Sequence, residues 1–139
     1  MYRFLDRAVR DLAPGEQVLT WAMRSWVCAM ASQRCPCAAL GPAFARWRVG
    51  DLLADFNMTM FLLNQEGQSA LKFAQPLCGL VRDDEARLLA LFHAAAAKDK
   101  GLLTRAAAQF VLPEAEPPFR IAIAGAADVL RRVPVPRNS

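Results

Sequence analysis

The apolar residues between positions 16 and 32 recur at the spacing of an α-helix. At 100° per residue they form one broad stripe, whereas Gln17, Thr20 and Arg24 lie on the opposite side. The stripe consists of Val18, Leu19, Ala22, Met23, Trp26, Ala29 and Met30. This pattern predicts an amphipathic helix from Glu16 to Ser32 that turns the stripe toward a core.

The rest of the chain favours helices as well. It contains 26 alanines and 18 leucines, against 14 valines, isoleucines and threonines together. Alanine and leucine favour helices, while β-branched residues favour strands. We therefore predict an all-α fold, and the composition argues against a sandwich, a barrel or a parallel α/β sheet.

Residues 49–65 carry apolar side chains on both faces, which predicts a central helix buried by its neighbours and ended by Gly67. We expect five to six helices around this central one, with an irregular stretch at 68–80. Besides the helix at 16–32, they are a helix at 2–12 ended by Pro14-Gly15, a helix that starts near Pro42 and a helix capped by Asp83. The last two are predicted at 101–111 and at 118–132, the second of them after a stiff linker at 113–118. One domain over 1–132 and a loose tail over 133–139 follow from this pattern.

Several classes of protein are disfavoured. A hydrophobic content of 55% with 22% charged residues excludes a disordered chain. No apolar run reaches the ~18 residues of a membrane span. The first residues lack the apolar core of a signal peptide, so we expect a cytoplasmic protein.

The net charge of +4 lies in the first 50 residues, which hold seven arginines, two aspartates and one glutamate. The arginines are Arg3, Arg7, Arg10, Arg24, Arg34, Arg46 and Arg48. They suggest binding to the phosphates of nucleic acid as one alternative. Acidic neighbours dilute the field and no DNA-binding motif accompanies it, so nucleic acid is not the favoured partner.

The four cysteines, Cys28, Cys35, Cys37 and Cys78, equal in number the thiolates of a zinc or iron–sulfur site. Structural zinc sites favour two close pairs, whereas this chain has one Cys-Pro-Cys and two isolated thiols. Redox reactivity and small buried thiols are the alternatives. In a reducing cytoplasm we expect the cysteines as free thiols, metal ligands or redox groups rather than as structural disulfides.

His93 does not indicate catalysis, and the acidic run at 83–85 does not indicate a cation site. No serine or cysteine stands at a recognised nucleophile spacing from His93, the only histidine. The acids are explained by capping of the helix that they begin. Glu85 nevertheless points toward the apolar stripe near Cys78, so we expect Arg82 or an arginine of a neighbouring helix to pair with it.

Two stretches resemble a known group of proteins. At residues 76–89 a cysteine-bearing turn after a proline precedes an Asp-Glu helix start, and the helix at 24–27 leads to Cys35-Pro36. Together they resemble an uncharacterised, mostly helical family of small bacterial proteins. The resemblance covers residues 16–100. It implies a helical fold and a bacterial cytoplasmic origin, and it implies no activity.

These observations favour a non-catalytic regulatory or protein-interaction module without a cofactor. Its apolar helix surface would bind a protein partner or a second copy of the chain. A metal- or redox-sensing domain built on the four cysteines is the first alternative, and a DNA-associated protein is the second.

Overall fold

The computed structural model describes residues 4–133 and confirms the all-α prediction, with no β-strand in that range. The six helices are α1 (Pro14–Ala31), α2 (Pro36–Arg46), α3 (Leu52–Glu66), α4 (Asp83–Ala96), α5 (Lys100–Ala107) and α6 (Glu116–Leu130). Short 3-10 helices lie at Val9–Asp11 and Pro113–Ala115. No helix in the described range is both long and apolar enough to cross a bilayer. The predicted tail lies outside the described residues apart from Val133.

The centre of the bundle is α6, which packs against α1, α3, α4 and α5. Its small residues, Ala122, Gly125, Ala126 and Ala127, permit this close approach. The prediction that α3 is buried all round is wrong. Met58 and Phe61 on its outer face are each 47% exposed, because α3 packs mainly against α2 and α6 on one side.

The predicted helix at 2–12 begins outside the described residues, and over residues 4–12 the prediction is wrong. Instead, residues 6–9 pair with the chain just before α4. The backbone N–H of Asp6 donates to Val81 at 3.0 Å, and that of Val9 donates to Gly79 at 2.8 Å. Phe4 is fully buried at the start of this segment. The helical spacing of the apolar residues does not predict this pairing. The pairing gives the backbone N–H groups that a helix would have used their acceptors in a distant part of the chain.

Two prolines have roles different from those predicted. Pro14 begins α1 rather than ending a helix, and α2 begins at Pro36 rather than near Pro42. Proline suits the first turn because that position has no intrahelical partner for an N–H and needs the φ that the ring imposes. Pro42 lies within α2, on its exposed side.

Gly15 is required by the contact between α1 and the end of α6. A Cβ atom at this position would lie 2.6 Å from the carbonyl oxygen of Leu130. We expect Gly15→Ala to lower the free energy of unfolding by about 1–3 kcal/mol, because backbone must move to admit the methyl group. Urea denaturation measures this loss. Gly50→Ala is the matched control, because a Cβ there meets nothing within 4 Å; equal midpoints for the two variants would contradict the prediction.

Candidate functional site

Residues 67–82, the connecting segment between α3 and α4, contain no helix but are fixed at both ends. At the start, Gly67 bridges to Val111, and the side-chain amide of Gln68 donates to the carbonyl oxygens of Ala108 and Val111. At the end, residues 79–81 pair with residues 6–9. The irregular stretch predicted at 68–80 is confirmed, and it follows one defined path.

A buried ion pair between Arg24 of α1 and Glu85 of α4 fixes the middle of this segment. Both side chains are almost fully buried, at 2% and 0% exposure. Nε and Nη2 of Arg24 donate to the two carboxylate oxygens, each at 2.8 Å. Nη1 donates to the carbonyl oxygen of Cys78 at 2.6 Å and Nη2 to that of Leu80 at 2.8 Å. One guanidinium therefore joins α1, α4 and the connecting segment.

The carboxylate of Glu85 also accepts hydrogen bonds from the chain around it. The backbone N–H of Ala74 and that of Arg82 each donate to it at 2.9 Å. The neighbouring carboxylate of Asp84 accepts from the N–H of Lys72 at 2.7 Å. The start of α4 thus determines the course of the connecting segment. Arg82, rather than the predicted Asp83, is the N-cap residue of this helix.

The expectation that an arginine pairs with Glu85 is confirmed, but the position of that arginine on α1 was missed. Helical periodicity placed Thr20 and Arg24 away from the core, whereas both are buried. The connecting segment covers that side of α1. Because this segment is not helical, the spacing of apolar residues within α1 does not predict its contact with Thr20 and Arg24. Thr20 satisfies its hydroxyl by donating to the carbonyl oxygen of Glu16. The position of Glu85 on an apolar stripe was the one sequence signal that a buried arginine lies nearby.

Both partners of the ion pair have shifted pKa values. Burial acts to raise the pKa of Glu85, but the hydrogen bonds from Arg24, Arg82 and Ala74 outweigh it and the pKa is lowered. The hydrogen bond to Glu85 raises the pKa of Arg24 against the opposing effect of burial. Both groups are therefore charged at neutral pH.

A groove of about 570 Å³ lies beside the ion pair, between α1, the turn after α2 and the connecting segment. We call it the tryptophan–arginine groove. Its lining is mainly apolar, and its side chains include Gln17, Trp21, Arg46, Trp47, Arg48 and Cys78. None of the described residues that line it is acidic. The volume falls within the range of ~300–1,000 Å³ that is typical of small-molecule sites.

The two tryptophans and two of the arginines give the groove its chemistry. Trp21 and Trp47 are half-buried and meet edge to face, with ring centroids 5.1 Å apart. The guanidinium of Arg46 lies 6.0 Å from the ring centroid of Trp47. Arg46 and Arg48 are exposed, and neither forms an ion pair within residues 4–133. The rim is therefore cationic over an aromatic wall.

The four predicted metal ligands are not brought together. Cys35 is exposed and Cys28, Cys37 and Cys78 are half-buried, all as free thiols. Across residues 4–133, no three histidine, cysteine or acidic side chains are placed to hold a metal ion. Burial is the main cause that raises the pKa of Cys37, and the nearby Cys35 raises it further. The Cys78 thiol contacts the carbonyl oxygen of Leu80 at 3.5 Å. The zinc or iron–sulfur site stays a prediction without geometric support here.

The remaining sequence candidates lie apart from the groove or inside the protein. His93 is exposed, and its ring packs edge-on against Phe4 with centroids 6.1 Å apart. Among the seven arginines of the first 50 residues, Arg24 is internal and Arg3 lies outside the described residues. The side chain of Arg7 donates to the carbonyl oxygen of Asp11. These arginines are therefore not one continuous solvent-facing set.

Comparison of the chain with protein-family models, with curated proteins and with solved structures yields no match in any of the three. The resemblance to a helical bacterial family is neither supported nor refuted by this result.

Proposed function

We propose that this chain is a non-catalytic regulatory module that binds a small organic anion with an aromatic ring in the tryptophan–arginine groove. The observation that carries the proposal is the combination of Trp21 and Trp47 with two arginines that have no acidic partner at the same groove. An aromatic anion complements both features at once.

The geometry assigns different parts of the ligand to different side chains. An aromatic ring against Trp21 and Trp47 gains apolar burial and favourable ring contacts. A carboxylate beside Arg48 gains a charge-assisted hydrogen bond, which is stronger than a neutral one. Because no lining residue within 4–133 is acidic, no side-chain carboxylate of that range competes for this arginine at the groove. Arg46 adds positive charge at the rim.

Arg24 contributes to the wall of the groove but not to recognition of the anion. Its guanidinium already donates four hydrogen bonds, two to Glu85 and two to backbone carbonyls. A ligand that recruited Arg24 would leave the Glu85 carboxylate buried without its counter-charge, which is costly. The exposed arginines therefore supply the specificity, while Arg24 maintains the shape of the groove.

Titration with 1-naphthoate, followed by NMR of the tryptophan indole N–H groups, tests this proposal. We expect the signals of Trp21 and Trp47 to shift while that of Trp26 stays in place, because Trp26 lies outside this groove and donates to Asn57. Arg46→Gln/Arg48→Gln should weaken binding at least about tenfold, which corresponds to the loss of one charge-assisted hydrogen bond.

Two controls distinguish the groove from non-specific attraction. Arg34→Gln removes an exposed positive charge from a residue that does not line the groove, and should leave the affinity unchanged. Naphthalene-1-methanol keeps the ring without the charge and should bind about tenfold more weakly. Equal affinities for the two compounds, or unchanged affinity in the double variant, would refute anion recognition.

A further inference from the structure

The connecting segment has one edge that is hydrogen-bonded and one that is not. The N–H groups of Lys72 and Ala74, two residues apart, both donate to carboxylates at the start of α4. This period of two is typical of extended backbone, in which alternate residues direct their N–H and C=O groups to opposite edges. The backbone groups of Leu71 and Phe73 belong to the other edge, and they form no hydrogen bond within residues 4–133.

A second groove of about 600 Å³ runs along this segment. We call it the methionine groove. Its walls are the end of α1, one side of α3 and residues 69–73, and they include Trp26, Met30, Met60, Leu63, Leu71 and Phe73. Among the described residues, none that lines it is charged, and its polar side-chain groups are those of Asn64, Ser69 and the indole of Trp26. The groove therefore offers no charged side chain to a charged occupant, and an uncharged occupant with apolar side chains complements it best.

We propose that the methionine groove binds an extended, uncharged apolar segment of a partner protein, which adds as a β-strand along Leu71–Phe73. Strand addition to an exposed edge takes affinity from main-chain hydrogen bonds and specificity from pockets for alternate side chains. Both elements are present, as an unpaired edge and an apolar groove beside it. This inference concerns a site separate from the tryptophan–arginine groove and does not depend on the proposed anion.

The unpaired edge favours a peptide over a purely apolar small molecule. An apolar ligand would remove water from the backbone groups of Leu71 and Phe73 without replacing its hydrogen bonds, which costs free energy. A peptide backbone supplies both a donor and an acceptor at each paired position. Methionine side chains such as Met30 and Met60 then adapt to the peptide's side chains, since they are flexible and polarizable.

The test uses the full chain and a capped pentapeptide of alternating valine and threonine. Amide hydrogen exchange is followed by NMR. Without peptide, the amides of Lys72 and Ala74 should exchange slowly and those of Leu71 and Phe73 quickly. Saturation with peptide should protect Leu71 and Phe73 as well. A second peptide with N-methylated central amides should bind about tenfold more weakly, because it lacks the main-chain donors.

Two methionine variants complete the experiment. Met30→Glu places a charge in the groove and should abolish binding of the first peptide. Met58→Glu is the matched control, because Met58 is a similarly exposed helical methionine outside the groove, at 47% against 40% for Met30. Equal affinity for the two peptides, absence of new protection at Leu71 and Phe73, or no binding up to about 1 mM would overturn the proposal. None of these outcomes bears on 1-naphthoate binding at the other groove.

Discussion

We expect Arg24→Met to lower the free energy of unfolding by about 3–5 kcal/mol, which is the usual cost of removing one partner from a buried ion pair. Methionine fills similar volume but leaves the Glu85 carboxylate buried without a counter-charge. It also leaves the carbonyl oxygens of Cys78 and Leu80 without their donor. Thermal denaturation should show a fall of roughly 10 °C or more for a chain of this size.

Two further variants separate the buried charge from lost packing. Arg24→Met/Glu85→Met removes both charges, and we expect it to recover part of the loss, since an apolar pair is often tolerated in place of ions. Recovery is incomplete because the N–H groups of Ala74 and Arg82 lose their acceptor. Asp51→Asn, which breaks an exposed ion pair with Arg132, should change the unfolding midpoint little. A loss below about 1 kcal/mol in Arg24→Met, the size typical of exposed pairs, would contradict this interpretation.

The same ion pair makes stability depend on acidic pH. Because the folded-state pKa of Glu85 is lowered, the unfolded chain takes up a proton at a higher pH than the folded chain. The stabilising effect is complete above the unfolded value, about 4.3 for a glutamate, and is lost as the pH falls through the folded-state pKa. Within that interval the free energy of unfolding should fall by about 1.4 kcal/mol per pH unit from this group.

Urea denaturation between neutral pH and pH 2 measures this dependence. The Arg24→Met/Glu85→Met variant serves as reference, because it lacks the titrating group while keeping the other carboxylates, including Asp51, whose pKa Arg132 lowers. The stability curves of the two proteins should have the same slope above pH 5 and diverge in slope below it. Parallel curves down to pH 2 would show that Glu85 is not specifically stabilised in its charged form.

Local periodicity predicts those parts of the fold in which a helix has one apolar face. The predicted helix at 16–32 agrees with α1 within two residues, and Gly67 is the C-cap of α3 as expected. The predicted N-cap Asp83 lies one residue after the observed N-cap of α4, Arg82. In each case the local signal and the tertiary contacts favour the same structure.

The candidate site could not be predicted in the same way. Arg24 is separated from Glu85 by 61 positions, and the connecting segment that covers it has no period of its own. Trp21 is not part of the apolar stripe of α1, and its contact with Trp47 depends on the turn that brings the end of α2 back to α1. Pairing of distant residues across irregular backbone is a property of the whole chain, which the spacing within one helix does not record.

The connecting segment lines both grooves, so binding at one would be coupled to binding at the other. The connecting segment contributes Pro76 and Cys78 to one groove and Leu71 and Phe73 to the other, and Glu85 anchors Ala74 between them. An occupant that stiffens this segment at one groove reduces the conformational entropy lost when the other is filled. Such cooperativity is reciprocal, so each occupant would raise the affinity for the other by the same factor. A chain of 139 residues would then respond to two molecules as a single sensor.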